Sequence, residues 1–289
     1  MTFYEDVTTR ILKQLEAGKV PWRKSWSSGL PKSLTTGSEY RGINILVLGC
    51  SEFTSRYWVT YRQAFKLGGH VRKGEKATPV VYWKWRTPEE LKKLAAETPN
   101  PAPCVPFVSS VFNLDQVENI AAPVDEVAQH PNHRLEVAEL MLDVMPDKPK
   151  ILHSVAGQPA YAPMLDRITM PHLSQFKSAD HYYSVLYHEL THSVGHPRRL
   201  NRFAEAEGDK VEKYSFEELV AEFGAAFLCA FTGIKNVETE ALTASYIAGW
   251  SAVFQKDTRI LMRAASAAQH AADYVRGKFV KVESEAVAA

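Results

Sequence analysis

Residues 178–195 read Ser-Ala-Asp-His-Tyr-Tyr-Ser-Val-Leu-Tyr-His-Glu-Leu-Thr-His-Ser-Val-Gly and contain the motif HExxH. Ser178 is a favourable N-cap residue, and Gly195 followed by Pro197 is a typical helix stop. The stretch therefore predicts a helix that carries both histidines of the motif.

On such a helix, His188 and His192 lie one turn apart on the same face, where both imidazoles can bind one metal ion. Glu189 points about 100° away around the helix axis. We therefore predict His188 and His192 as metal ligands and Glu189 as the general base of a hydrolytic reaction.

Two histidines do not complete a catalytic zinc site, which usually has three protein ligands and one open position. The longer pattern HExxHxxGxxH would supply a third histidine, but position 198 is arginine. His196 follows the expected helix stop and is a poor candidate. A carboxylate on a following helix is the remaining source of a third ligand.

Ser215-Phe-Glu-Glu-Leu-Val-Ala-Glu222 supplies such carboxylates. We predict Glu218 as the third ligand and Glu222, one turn further, as the partner of a histidine N–H. Glu217 and Glu222 are the alternative ligands. The purely structural alternative is a capping box in which Ser215 and Glu218 begin the helix.

Two further features bear on the hydrolytic reaction that the motif predicts. Residues 158–170 are predicted as a strand before the HExxH helix, either with an edge that binds an extended peptide or as an ordinary edge strand. Tyr214 and His196 are candidate hydrogen-bond donors to a developing oxyanion, by sequence proximity alone.

Charge and aromatic residues are unevenly distributed along the 289-residue chain. Residues 1–86 contain 15 Lys and Arg and 6 Asp and Glu, a net charge of +9, whereas the remaining 203 residues carry −8. Five of the six tryptophans also lie in residues 1–86. This inventory predicts nucleic-acid contact by the first part, through these residues: Trp22, Arg23, Lys24, Trp26, Tyr40, Arg41, Trp58, Arg72, Lys73 and Lys76.

Composition excludes several other classes of protein. No apolar run approaches the roughly 18 residues of a membrane-spanning helix, so we expect no membrane partner. No secretory signal is visible at the N-terminus. Three scattered cysteines form no CxxC pair, which disfavours a disulfide scaffold and fits a cytoplasmic location. Residues 121–133 lack periodicity, contain Pro123 and Pro131, and are the best linker candidate.

The HExxH motif with a downstream acidic helix resembles the gluzincin metallopeptidases. Residues 1–86 resemble the single-stranded-DNA-binding domain of ArdC-type antirestriction proteins, a module shared with plasmid TraC-type primases. The zincin-like domain of that family is similar to the later part of this chain. The motifs that carry the resemblance are YRGIN at 40–44, YWVTYRQA at 57–64, GGxVRKGEK at 68–76, YxPxxDxIxMP at 161–171, HELTH at 188–192, GHxxRL at 195–200 and EELVAE at 217–222.

The expected fold is therefore α+β, with a single-stranded-DNA-binding domain at 1–126 and a zincin-like metallopeptidase domain at 127–289. The resemblance implies a plasmid protein that protects conjugatively transferred DNA from host restriction, with single-stranded DNA and an unidentified protein substrate as partners. Zn²⁺ is the expected cofactor, with Mn²⁺ or Co²⁺ also compatible. The alternatives are a passive DNA-coating protein with an inactive or structural metal site and, least favoured, a metal-dependent nuclease.

Overall fold

The computed structural model describes residues 2–23, 29–98, 101–123, 133–205, 210–235 and 244–278. The helices in these ranges are α1 (Phe3–Glu16), α2 (Ile43–Gly49), α3 (Tyr61–Lys66), α4 (Pro88–Ala95), α5 (His133–Val144), α6 (Ala179–Val194), α7 (Arg202–Glu205), α8 (Lys210–Thr232), α9 (Ala244–Lys256) and α10 (Ile260–Val275). The strands are β1 (Lys32–Ser33), β2 (Tyr57–Val59), β3 (His70–Val71), β4 (Thr78–Trp85), β5 (Cys104–Asn113), β6 (Val117–Glu118), β7 (Lys150–His153), β8 (Ala160–Ala162) and β9 (Arg167–Met170). This mixture of helices and sheets confirms the predicted α+β class.

The N-terminal sheet has the strand order β1-β2-β5-β4. Its long ribbon pairs β4 with β5 antiparallel, from Thr78 opposite Val111 to Trp85 opposite Cys104. One end of the ribbon packs on α2, whereas its far end extends beyond the core. The predicted boundary between residues 126 and 127 falls outside the described residues, as does most of the predicted linker.

The two glycines after α3 have distinct structural requirements. Gly68 has φ +82°, a left-handed conformation that side chains disfavour. Gly69 lies so close to the end of β6 that a Cβ would sit 2.6 Å from the Glu118 carbonyl oxygen and 2.5 Å from a side-chain carbon of Ile120. The Gly68-Gly69 motif therefore turns the chain tightly from α3 into β3.

The second sheet has the order β7-β9-β8, with β7 and β9 parallel and β8 and β9 antiparallel. The single strand expected over residues 158–170 is therefore wrong: it is a hairpin, β8 and β9, turned at Asp166 with φ 44°. The central strand is β9, and β8 is one of the two edge strands, because in the described part of the chain it pairs with β9 alone.

Helices α6, α8 and α10 pack against one another beside this sheet. Their core continues into the N-terminal part of the chain, where Ile11 and Leu15 of α1 and the Trp22 ring belong to the same buried cluster. Trp22 meets Phe223 and Phe254 edge to face, with ring centroids 5.2 and 6.1 Å away. The N-terminal part therefore packs directly on α8.

Polar contacts join the same surfaces. Arg41 forms an ion pair with Asp273 of α10, and the Gly42 N–H donates to Oε1 of Gln269 at 2.9 Å. Within the ranges that the structure describes, no helix is both long enough and apolar enough to cross a membrane.

Candidate metal centre

Helix α6 begins and ends where the sequence predicts. The Ser178 hydroxyl accepts a hydrogen bond from the His181 N–H at 3.1 Å, which caps the first turn. Gly195 ends the helix, and a Cβ there would overlap the Phe203 ring, so the next segment folds closely back. His188 and His192 consequently lie on consecutive turns, with ring centroids 4.7 Å apart.

Helix α8 brings a carboxylate to the two histidines. Nε2 of His188 and Nε2 of His192 are 3.1 Å apart. The Glu218 carboxylate lies 3.6 Å from the first and 3.5 Å from the second. All three ligand atoms lie within 4.8 Å of one another, and no other such group of His, Cys, Asp and Glu occurs in the described residues.

These distances fit a metal ion. Ligands about 2.0–2.1 Å from a tetrahedral zinc ion are about 3.3–3.4 Å apart, close to the spacing found here. Two neutral imidazoles cannot direct lone pairs at each other at this distance without a proton or cation between them. The donor set of two nitrogens and one carboxylate oxygen therefore suits a divalent metal ion.

His192 is oriented by a residue that the sequence did not assign to this role. Its Nδ1 lies 3.1 Å from Oε1 of Glu217, and a proton on Nδ1 leaves the lone pair on Nε2, toward the cluster. Arg202 donates to both oxygens of Glu217, at 2.6 and 2.8 Å. Burial raises the pKa of Glu217, but Arg202 and His192 outweigh it and hold that pKa below its usual value.

The partner of the His192 ring N–H is Glu217, and the role predicted for Glu222, as partner of a histidine N–H, stays a prediction. Glu222 acts on His188 by its charge. Burial lowers the pKa of His188, but the hydrogen bond with Glu218 and the charges of Glu222, Glu189 and Glu218 together raise it. The predicted base Glu189 is 8% exposed. The cluster is thus a strongly anionic environment that favours a bound cation.

Tyr214 lies beside Glu218. Its side chain is 67% exposed, and its hydroxyl donates a hydrogen bond to Glu218. Because α8 begins at Lys210, Ser215 is inside the helix, and the alternative of a Ser215–Glu218 capping box is wrong. The Glu218 carboxylate is consequently free of a capping role.

A second polar network joins the end of α6 to the β8–β9 turn. The Arg199 guanidinium, with no exposed surface, forms an ion pair with Asp166 and donates to the Ser193 carbonyl at 2.7 Å. It also lies 3.2 Å from the Tyr161 hydroxyl. His196 is on this side, 4.0 Å from Asp166, and is not part of the metal-binding cluster. Sequence reasoning missed the network, although Tyr161, Asp166 and Arg199 all lie in quoted motifs.

Two of the residues predicted to contact DNA are core residues. Trp22 and Trp58 are each 1% exposed, and their indoles pack against Phe223 and Phe53 respectively. A buried ring cannot stack on a base, so the prediction is wrong for both. Lys24, Trp26 and the side chain of Arg23 lie outside the described part of the chain.

The other residues predicted to contact DNA differ in burial and in whether an acidic side chain pairs with them. Tyr40 is half-buried, and burial raises its pKa to about 12. Arg41 is paired with Asp273, and Arg72 lies 2.9 Å from Glu75. Lys73 and Lys76 are exposed and form no ion pair with any residue that the structure describes.

Comparison with protein families matches the two parts of the chain to two different families. Residues 1–112 match the N-terminal domain of the anti-restriction factor ArdC, and residues 143–267 match a zincin-like metallopeptidase family. Fold and site thus define a class of protein in which an ArdC-type N-terminal domain precedes a zincin-like domain. Two solved structures extend this match to the whole chain.

Both are antirestriction ArdC from the R388 plasmid, at 34% sequence identity. The metal-free structure has a TM-score of 0.74 and covers 96% of this chain and 98% of its own; the Mn(II)-bound structure has a TM-score of 0.75 and covers 98% and 100%. The chain belongs to the ArdC antirestriction family.

Two curated relatives differ in length. The y4eC protein of Sinorhizobium fredii (strain NBRC 101917 / NGR234) is 32% identical over 95% of this chain and 92% of its own length. A DNA primase TraC of Escherichia coli is 35% identical over 94% of this chain, but this chain spans only 27% of that primase. Nearly the whole chain thus resembles one part of a much longer protein.

Proposed function

We propose that this protein binds single-stranded DNA through its N-terminal part and hydrolyses peptide bonds at the His188–His192–Glu218 cluster, thereby protecting transferred DNA from host restriction. The observation that carries the proposal is the general base: Glu189 directly follows His188 beside three converging donors. A purely structural metal site has no need of a buried carboxylate at that position.

A divalent ion held by the three ligands would polarise the carbonyl of the scissile peptide bond. Glu189 accepts the proton of the attacking water and returns it to the leaving amine. The Tyr214 hydroxyl, exposed beside Glu218, is our candidate donor to the developing oxyanion. The free edge of β8 pairs with the substrate backbone as an added strand.

We assign zinc as the working metal, because two imidazoles and one carboxylate are a common donor set of catalytic zinc. Manganese and cobalt accept the same donors, and the related R388 protein has a Mn(II)-bound structure. We expect the domain to fold without the ion, since α6 and α8 both bury apolar faces of their own.

The DNA-binding half of the proposal rests on charge. Residues 1–86 carry a net charge of +9, and Lys73 and Lys76 are exposed without ion pairs among the described residues. Cations that neutralise phosphates release counterions, so affinity should fall steeply as salt rises. The preference for single strands follows from membership of the ArdC family.

A passive DNA-coating protein is the second candidate. What favours it is the TraC primase match, in which nearly the whole chain aligns with part of a protein named for DNA synthesis. The two candidate functions differ in whether the protein hydrolyses peptide bonds. Replacing Glu189 should therefore abolish protection of DNA by a peptidase but not by a passive coating protein.

The test uses purified full-length protein with Zn²⁺, Mn²⁺ or Co²⁺ and a proteome-derived peptide library as substrate. Wild-type protein should cleave peptides, Glu189→Ala should lose roughly 100-fold or more of that turnover, and His192→Ala should lose the metal as well. Glu16→Ala, an exposed acid on α1, is the matched control. Cleavage that survives unchanged in Glu189→Ala would refute the assigned mechanism.

A further inference from the structure

Helix α3 exposes two aromatic rings that serve no core. Tyr61 is 59% exposed and Phe65 is 75% exposed. The buried anchor of the helix is Ala64, and Tyr61 keeps only an edge contact with Phe112, at a centroid distance of 6.4 Å. A phenylalanine this exposed gains little from folding, and neighbouring exposed rings are typical of a binding surface.

A cation follows each ring in the sequence. Arg62 and Lys66 are both exposed, and neither forms an ion pair with a residue that the structure describes. Residues 56–76 contain six Lys and Arg and a single acid, Glu75. Glu75 is paired with Arg72, so the single acid of this segment is already neutralised by a neighbouring cation.

Helical spacing arranges these four side chains in two parallel rows. Tyr61 and Phe65 are four residues apart, as are Arg62 and Lys66, so each pair lies on one face one turn apart. Thr60 and Gln63 form a capping box at the start of the helix, and the Gly69 N–H donates to the Ala64 carbonyl at its end. The helix backbone that carries both rows is therefore fixed at both ends before any ligand binds.

We propose that this α3 surface, formed by Tyr61, Arg62, Phe65 and Lys66, is a contact site for single-stranded DNA. Tyr61 and Phe65 stack on two bases, while Arg62 and Lys66 bind the adjoining phosphates. Base faces are covered in a duplex, so the rings give the surface its preference for single strands. This inference rests on the proposed DNA binding and supplies residues for it, replacing the buried Trp22 and Trp58.

The rings are tested by fluorescence anisotropy of the full-length protein with a labelled dT20 oligonucleotide. Tyr61→Ala/Phe65→Ala should weaken binding by roughly tenfold or more, the scale of losing base stacks. Phe65→Leu should lose affinity too, because leucine keeps the apolar surface but not the flat ring. Leu140→Ala, an equally exposed apolar residue of α5, is the control and should bind as wild type.

The cations are tested by the salt dependence of the same binding. Arg62→Gln/Lys66→Gln should reduce the slope of log K against log salt by about 1.4, at about 0.7 per phosphate of a single strand. The control Lys92→Gln/Lys93→Gln, on the exposed helix α4, removes the same amount of charge. It should reduce the salt slope by less than Arg62→Gln/Lys66→Gln does. A general loss of stability would not produce this difference.

The outcomes separate the site from the function. Failure of wild-type protein to bind dT20 would refute DNA binding and this site with it. Wild-type binding with unchanged affinity and salt slope in both α3 double variants would overturn the site alone. Full affinity in Phe65→Leu would also overturn it, since DNA binding would then not depend on a flat ring at position 65.

Discussion

Gly224 of α8 lies directly against Thr191 of α6, so closely that a Cβ on residue 224 would sit 2.5 Å from the threonine Oγ1. Thr191 precedes the proposed ligand His192, and Gly224 is six residues beyond the proposed ligand Glu218. This contact therefore sets the distance between the two helices that carry the His188–His192–Glu218 cluster.

We accordingly predict that Gly224→Ala pushes α8 away from α6. Overpacking of this kind typically costs about 1–3 kcal/mol of unfolding free energy. Zinc affinity, measured by competition with a chromogenic chelator, should fall as well. Gly249→Ala on α9 is the control, because a Cβ there meets nothing within 4 Å. Wild-type zinc affinity in Gly224→Ala would contradict this role for the contact.

Glu217→Gln should weaken zinc binding by about 10- to 100-fold, the usual cost of losing a partner that orients a metal-binding histidine. The amide keeps the shape of the side chain but no longer holds a negative charge between His192 and Arg202. Glu97→Gln, at an exposed position just beyond α4, controls for loss of one charge. Equal zinc affinity in the two variants would assign Glu217 a merely structural role.

The Asp166–Arg199 pair should make stability depend on acid pH. Burial raises the pKa of Asp166, but hydrogen bonds from Arg199 and Tyr161 outweigh it, so the folded-state pKa is below the ordinary value of about 3.9. The stabilisation is then complete above about pH 4 and is lost as pH falls through the folded-state pKa.

Asp166→Asn is the suitable variant, because asparagine tolerates the positive φ at this position. At pH 7 it should lower the free energy of unfolding by about 3 kcal/mol, since it leaves the buried Arg199 charge unpaired. Urea titrations should show this difference shrinking below pH 4. A difference that stays constant down to pH 2 would contradict the assigned pair.

Trp22→Phe should lower thermal stability without changing DNA affinity. The indole is buried against Phe223 and Phe254, and the smaller ring leaves a cavity there. Differential scanning fluorimetry measures the first effect and dT20 anisotropy the second. Loss of DNA affinity in a variant that remains folded would return Trp22 to the DNA-binding surface.

Local spacing was sufficient to predict α6, because the capping residue, the HExxH motif and the stop residue all lie within one short stretch of sequence. Local spacing was also sufficient to identify Glu218 as a candidate ligand, since the EELVAE segment predicts a helix with its own apolar face. It could not show that Glu217 is the hydrogen-bond partner of His192. That pairing depends on the rotation of α8 against α6, which is set by contacts such as Gly224 with Thr191.

The remaining errors have the same origin. Trp22 lies in a segment rich in proline, lysine and serine, which resembles an exposed loop, but distant helices α8 and α9 cover it. Arg199 and Asp166 are 33 residues apart, and only the packing of the hairpin on α6 joins them. No local pattern carries information about either contact.

The central claim is that Glu189 performs chemistry on which antirestriction depends. The most direct measurement is the survival of conjugatively transferred DNA in a restricting recipient that contains wild-type protein or Glu189→Ala at equal abundance. The account predicts that protection collapses in the variant while its zinc content and dT20 affinity remain those of wild type. Full protection by Glu189→Ala would contradict it and leave passive coating of DNA as the function.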